Sequence, residues 1–114
     1  MSILLKDRDY QPDGSGSVAA VEGMEAVLAD VLFRLSARRG SFPLMPQLGS
    51  QMHRLRWEKP SARTALARQY AVEALSELEE IAVTDAAVTP VGDQLHIRVD
   101  LLWQGQALAV ELEG

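Results

Sequence analysis

The chain has 114 residues, of which 11 are basic, 16 are acidic, 47% are hydrophobic and none is cysteine. This length fits one domain, the absence of cysteine excludes disulfides, thiol nucleophiles and Cys-based zinc sites, and the net charge of −5 disfavours non-specific binding to nucleic acid or anionic membranes. No apolar run reaches the roughly 18 residues of a transmembrane helix, and the first residues become charged too soon for a signal peptide, so we expect a soluble intracellular protein.

Residues 1–22 begin with a short apolar run and continue through a segment rich in turn-forming residues. Pro12, Asp13, Gly14 and Gly16 are the turn formers. We therefore predict an N-terminal arm over 1–22, either extended or folded as a small hairpin. The remainder, 23–114, is predicted to form a single domain.

The first periodic segment runs from residue 23 to 37. Its apolar residues recur at spacings of three and four, which is typical of an amphipathic helix with one buried stripe: Met24, Val27, Leu28, Val31, Leu32 and Leu35. Arg34, Arg38 and Arg39 suit the negative end of the helix dipole. Gly40 stands in a favourable position for a C-terminal cap.

The joint that follows, "RRGSFPLMPQLGS", is unusually apolar for a connecting segment. A solvated linker favours small and charged residues, whereas here Phe42, Leu44, Met45 and Leu48 lie among two prolines and two glycines. These side chains must either fold onto their own domain or press against a partner. A short helical turn is predicted within 47–57, carrying Leu48, Met52 and Leu55.

The C-terminal half is predicted to hold a second helix and a sheet. Pro60 suits the first turn of a helix over 62–80, whose apolar positions repeat every four residues. After residue 81 the period becomes two, and turn sequences separate three strands at 81–89, 94–103 and 106–112. The predicted fold is therefore α+β, with two main helices, joined by a Pro/Gly loop with a short helical turn, packed on a C-terminal three-stranded antiparallel meander.

The last strand is predicted to lie at an edge of this meander. An edge strand has unpaired backbone groups and can accept a strand from another chain without any catalytic residue. The alternative is an edge that Glu111 and Glu113 keep in solution.

Basic residues cluster in the middle third of the chain, whereas the last 46 residues contain Arg98 as their one base. Two interpretations remain open: ordinary solvated helix faces, or complementary docking between neighbouring subunits.

Residue patterns for catalysis are weak. Glu73, Glu77 and Glu80 are the candidates for the carboxyl pair of a glycoside hydrolase, but acidic residues near the end of an Ala-rich helix are usually solvated. His53 and His96 lack a Ser or Asp constellation, and the glycines match neither a phosphate loop nor a dinucleotide fingerprint. We therefore predict no catalytic residue, no cofactor and no metal.

One stretch of the chain resembles a known family. The segment "LGSQMHRLRWEKPSARTALARQYAVEAL", preceded by Arg39-Gly40 and Pro46, is similar to the baseplate wedge proteins of contractile phage tails, the lysozyme-like, sheath-initiating family, especially its Mu-like branch. The similarity extends over residues 24 to 112. Many members end the second helix with Glu-Pro-Arg, where this chain has Glu79-Glu80-Ile81, so the contacts of that signature do not carry over.

The resemblance implies a structural subunit and no enzyme. It implies six copies around the tail tube, contacts with other wedge proteins and with the sheath, initiation of the sheath by the C-terminal strand, no contact with nucleic acid or membrane, and a location in the virion baseplate after assembly in the bacterial cytoplasm. The partner-binding residues expected on this basis are Arg39, Gly40, Phe42, Pro46, Leu48, Gly49, Leu108, Val110 and Leu112. The alternatives are a tail-associated peptidoglycan hydrolase using Glu73, Glu77 or Glu80, and a free regulatory binding module.

Overall fold

A computed structural model describes the backbone of residues 2–6, 9–12 and 18–114, and the side chains from residue 23 onward. The elements in chain order are strands β1 and β2, helix α1, two short 3₁₀ turns, helix α2 and strands β3 to β5. Their bounds are β1 Ser2–Lys6, β2 Asp9–Pro12, α1 Val18–Ser36, the 3₁₀ turns Met52–Trp57 and Pro60–Ala62, α2 Arg63–Ala74, β3 Ile81–Val91, β4 Gln94–Trp103 and β5 Gln106–Glu113.

The predicted α+β fold is confirmed. The helices pack on the C-terminal antiparallel meander, and a proline-containing 3₁₀ turn precedes α2. Burial alternates along β4 as the period of two predicts, because successive side chains of a strand point to opposite faces. The buried face of the sheet meets α1 and α2 in one core. Its residues from β4 and β5 are Leu95, Ile97, Val99, Leu101, Trp103, Leu108, Val110 and Leu112.

The sheet has five strands rather than three. Its order is β2-β1-β5-β4-β3, with β1 parallel to β5 and all other neighbours antiparallel. The hairpin alternative for the N-terminal arm is the one observed, since β1 and β2 pair with each other. The expectation that β5 is an edge strand is wrong, because β1 pairs with it from Ser2↔Ala107 to Lys6↔Glu111.

Helix α1 starts earlier and ends slightly sooner than predicted. It begins at Val18, within the segment predicted to be an arm, and ends at Ser36. Its predicted stripe is buried except for Val27, which is partly buried, and Leu28 and Val31 are fully covered. Gly40 lies four residues beyond the helix end, so it is not the C-terminal cap. Gly40 instead lies in a turn in which the Ser41 amide donates to the Arg38 carbonyl. Its φ is +90°, a conformation that favours glycine.

Helix α2 is shorter than the predicted 62–80. It ends at Ala74, and single-turn hydrogen bonds from Leu78 to Leu75 and from Ile81 to Leu78 replace its last turns. The chain must reverse there so that β3 can return under α2. On α2, Ala67, Ala71 and Ala74 are buried, whereas Val72 is 52% exposed.

Candidate docking surface

The apolar joint is a closed loop whose two ends meet. We call residues 38–50 the joint loop. A parallel bridge joins Arg38 to Ser50, and the Arg39 amide donates to the Ser50 carbonyl at 2.9 Å while the Ser50 amide donates to the Ala37 carbonyl at 2.8 Å. Compact surface loops with closed ends often carry function. The joint loop therefore has a fixed base on the end of α1.

Ser50 fastens this base from inside. Its side chain is 1% exposed, its hydroxyl donates to the Leu35 carbonyl at 2.6 Å, and the same oxygen accepts the Met52 amide at 3.2 Å. One hydroxyl thus satisfies a carbonyl at the end of α1 and the first amide of the 3₁₀ turn. Both groups would otherwise lose hydrogen bonds when buried.

Gly49 allows the chain to approach the helix end this closely. Its φ is +102°, and a Cβ at this position would lie 2.7 Å from the Ala37 carbonyl oxygen and 2.8 Å from two further backbone atoms. No side chain fits there, because backbone cannot move aside as a flexible side chain can. Gly49 is thus a structural residue of the loop base.

Arg39 ties the loop to α2. Its Nε lies 3.6 Å from the Glu73 Oε1, and its Nη2 donates to the Glu73 carbonyl at 3.5 Å. The side-chain Nε2 of Gln51 also donates to the Glu73 Oε1, at 2.6 Å. The carboxylate of Glu73 therefore links two residues, Arg39 in the loop base and Gln51 just after the loop, to α2. Partner binding by Arg39 would compete with this contact.

The tip of the loop presents apolar side chains to solvent. Leu44 is 95% exposed, Met45 is 53% exposed and Phe42 is 36% exposed. Phe42 packs on Phe33 of α1 with a ring-centroid distance of 6.0 Å. Phe33 is itself 46% exposed, so the two rings and the two tip residues make the surface that we call the loop patch.

Not all predicted loop residues belong to this patch. Leu48 is 8% exposed and packs inward, Gly49 is buried, and Gly40 and Pro46 are exposed. The sequence left two alternatives for these apolar residues, namely packing on their own domain or availability to a partner, and each applies to a different part of the loop. Its end folds onto its own domain, while its tip remains uncovered.

The predicted residues of β5 are not on a surface. Leu108 is 2% exposed, Val110 is fully covered and Leu112 is 7% exposed, and all three pack in the core. Contact through β5 would therefore use backbone groups on the side where β1 now pairs.

A cavity of about 220 Å³ lies where the base of the joint loop meets the end of β5. Its apolar lining includes Leu35, Met52 and Ile97, and its polar lining includes Arg38, His53 and Glu113. Burial, followed by the charges of Arg38 and Arg54, lowers the pKa of His53, while a backbone hydrogen bond at Ser50 raises it. Among the described residues that line this cavity, Glu113 is the one with a side-chain carboxylate, so these residues supply no acid pair of the kind that glycoside hydrolysis needs.

Within the described part of the chain, the three glutamates of the hydrolase alternative share no partner. Glu73 is held by Arg39 and Gln51, Glu77 pairs with Arg34 at 3.4 Å, and Glu80 is exposed. Among the residues with described side chains, no cluster of three or more His, Cys, Asp or Glu could hold a metal ion. In the same part of the chain, no helix has the length and apolar character that a bilayer crossing requires.

Comparisons with known proteins give no family for this chain. No model of a protein family matches the sequence, and no curated protein matches it significantly.

Two exposed aromatic residues were absent from the predicted site. Phe33 follows Leu32 on α1 but lies outside the apolar stripe. Its position outside the stripe could have predicted that the ring is exposed. Trp57 is 82% exposed at the end of the first 3₁₀ turn. Its position could not be read from periodicity, because a turn of six residues is too short to define a buried face.

Proposed function

We propose that this protein is a structural subunit of a contractile phage tail or a related injection device, where it connects the wedge proteins of the baseplate and helps to start the sheath. The sequence resemblance supplies the biological setting. The physical support is an α+β domain that carries exposed apolar side chains on an anchored loop. Such a subunit works by binding and does not transform a substrate.

The observation that carries this proposal is the exposure of the loop patch. Burying apolar surface contributes about 25 cal/mol per Å² removed from water, so a partner that covers Leu44, Met45 and Phe42 gains free energy. The closed base of the loop lowers the entropic cost of binding, because the backbone is held before the partner arrives. Wedge proteins are the partners that we propose for this patch.

The proposed role in sheath initiation needs one additional step. A strand from another protein can pair with β5 only where its backbone groups are free, and β1 occupies that side over Ala107 to Glu111. We propose that the β1–β2 hairpin leaves β5 when a sheath strand is added. Parallel pairing is slightly weaker per residue than antiparallel pairing, which favours replacement of the five-residue β1 by an antiparallel strand.

Reconstitution tests the proposal directly. The chain is mixed with the baseplate and sheath proteins encoded beside its gene, and complexes are separated by size-exclusion chromatography. We expect a stoichiometric complex with at least one wedge protein, and recruitment of sheath subunits by that complex. Failure to bind any of these proteins would contradict the proposed function.

A peptidoglycan-cleavage assay tests the enzymatic alternative on the same preparations. We expect no cleavage by the purified chain between acidic and neutral pH. Cleavage that is lost in Glu73→Gln, Glu77→Gln or Glu80→Gln, but retained in a Glu79→Gln control, would favour a hydrolase instead.

A further inference from the structure

Trp57 is an exposed aromatic side chain away from the joint loop in sequence. It is 82% exposed, whereas the other tryptophan of the chain, Trp103, is 8% exposed. Tryptophan is usually well buried in proteins, and a largely exposed one on an ordered turn needs an explanation. The proposal below concerns what covers it.

The backbone on both sides of Trp57 is held in place. Met52 and Leu55 of the same 3₁₀ turn are buried and fix the turn on the core. Arg63 of α2 then reaches back, with its Nε donating to the Leu55 carbonyl at 3.0 Å and its Nη2 donating to the Arg56 carbonyl at 3.4 Å. The indole therefore projects from an ordered platform, and a partner would not pay for ordering this backbone.

One cation lies over the indole, and a second follows it two residues later in the chain. The Arg56 guanidinium lies 5.8 Å from the Trp57 ring centroid, within the range of a cation–π contact. Lys59 is exposed two residues later. Among the described side chains neither base forms an ion pair, and neither does the intervening Glu58, whereas Arg34 and Arg98 each pair with an acid.

We propose that Arg56, Trp57 and Lys59 form a second docking point, which we call the tryptophan platform, for an apolar pocket rimmed with carboxylates on a neighbouring wedge protein. The indole fills the pocket, and the two bases meet the acidic rim. Tryptophan and arginine are the residue types most enriched among those that dominate binding energy at protein interfaces. This inference rests on the proposed function, which supplies the class of partner.

The charge distribution favours an acidic protein over a nucleic acid. Single-stranded nucleic acids also stack their nucleobases on exposed aromatic rings that lie beside basic side chains such as arginine. However, strand binding depends on neutralising many successive phosphates, which a chain with a net charge of −5 disfavours, whereas a few carboxylates at a pocket rim can be met by Arg56 and Lys59 alone. Binding of an oligonucleotide at Trp57 is therefore an outcome that the test must be able to reveal.

The experiment has two parts, which are binding measurements on variants and a fluorine label that only this chain carries. The wedge protein that binds in reconstitution is titrated by calorimetry against the natural chain, Trp57→Ala, Arg56→Gln and Lys59→Gln. The control is Arg68→Gln, an exposed base on α2 without an ion pair among the described residues. In parallel, the natural chain is labelled with 5-fluorotryptophan, so that ¹⁹F spectra show Trp57 and Trp103 while the unlabelled partner is silent.

We expect Trp57→Ala to weaken binding at least about tenfold, Arg56→Gln and Lys59→Gln to weaken it less and to reduce its salt dependence, and Arg68→Gln to leave it unchanged. In the complex, the Trp57 fluorine should become protected from a soluble paramagnetic reagent, whereas Trp103 should be protected with and without partner. Equal affinity of Trp57→Ala, or an unprotected Trp57 in the complex, would overturn the inference and leave the proposed function standing.

Two further results would also overturn it. Protection of Trp57 by a single-stranded oligonucleotide, without protection by the wedge protein, would assign the platform to nucleic acid. The absence of any complex with the tail proteins would refute the proposed function, and this inference with it.

Discussion

The residues that carry the family resemblance in the joint loop are mostly those that build its base. Gly49 and Ser50 close the loop on the end of α1, and Arg39 links it to Glu73. The residues that we expect to meet a partner lie between them, at Phe42, Leu44 and Met45. At the residue scale, the residues of the resemblance therefore lie mostly in the support of the proposed docking surface rather than in the surface itself.

The requirement for glycine at position 49 can be tested against a matched glycine. Gly49→Ala places a Cβ 2.7 Å from the Ala37 carbonyl oxygen at a φ of +102°, whereas Gly40→Ala meets nothing within 4 Å at a φ of +90°. An unfavourable positive φ costs about 1–3 kcal/mol. We therefore expect Gly40→Ala to lose about this much free energy of unfolding, and Gly49→Ala to lose more because its Cβ also clashes with backbone. Urea unfolding measures both, and equal losses of stability would contradict the close approach.

The lowered pKa of His53 predicts a pH dependence of stability. Protonation is less favourable in the folded state than in the unfolded state, since burial and then Arg38 and Arg54 disfavour the charged imidazole. The unfolded chain therefore binds more protons below its pKa of about 6.5, and stability falls as pH drops through that value towards the folded pKa. Above it, His53 contributes no pH dependence.

Denaturant unfolding between pH 5 and 8 measures this effect. We expect His53→Gln to flatten the acid side of the stability profile, and Arg38→Gln to raise the pKa of His53 in an NMR titration. His96→Gln removes the other histidine together with its contact of 3.3 Å to Glu111, and it should leave the part of the profile that His53 contributes in place. A profile that is as steep in His53→Gln as in the natural chain would contradict the assignment.

At the scale of elements, the meander was the part most completely predicted from sequence. Its alternation is local, and the turns between 91 and 94 and between 103 and 106 contain glycines at positive φ, so pattern and turn chemistry agree. The end of α2 was missed because residues 75–80 have helix-forming composition, while the return of the chain to β3 overrides that preference.

The pairing of β1 with β5 could not be deduced from local pattern. The two strands are about a hundred residues apart in sequence, and no periodicity identifies a parallel partner across that distance. For the same reason, the sequence predicted the apolar joint loop but could not divide its residues into a buried end and an exposed tip. That division depends on the bridge between Arg38 and Ser50.

The exchange of β1 for a partner strand can be tested with an engineered disulfide, since the natural chain has no cysteine. Leu4 and Ala109 are paired residues on β1 and β5, and neighbouring strands lie within disulfide reach. We expect oxidised Leu4→Cys/Ala109→Cys to bind wedge protein but not to recruit sheath subunits, and the reduced form to recruit them. Co-sedimentation with assembled sheath measures recruitment.

The matched control places the cross-link between β3 and β4. Ala87 and Arg98 are paired there, so oxidised Ala87→Cys/Arg98→Cys stiffens the sheet without fixing β1. It should recruit sheath subunits as the natural chain does. Equal recruitment by both oxidised variants would show that β1 need not leave β5.

At the scale of the whole molecule, three candidate contact regions each rest on elements that pack in the core. The loop patch rests on the end of α1, the tryptophan platform rests on the turn that Arg63 anchors, and β5 lies within the sheet under α1. None of them includes a carboxylate pair or a metal cluster in the described part of the chain. We infer that this arrangement serves assembly with several neighbours.

The most direct test of this account compares a loop-patch variant with a variant at exposed apolar residues elsewhere, each of which is less exposed than Leu44. Leu44→Ala/Met45→Ala removes the patch tip, and Val72→Ala/Val91→Ala removes side chains that are 52% and 59% exposed on α2 and β3. Calorimetric titration with the wedge protein should give at least about a tenfold weaker Kd for the first pair and an unchanged Kd for the second, with both variants as stable as the natural chain. An unchanged Kd for Leu44→Ala/Met45→Ala would contradict the claim that the joint loop is a docking surface.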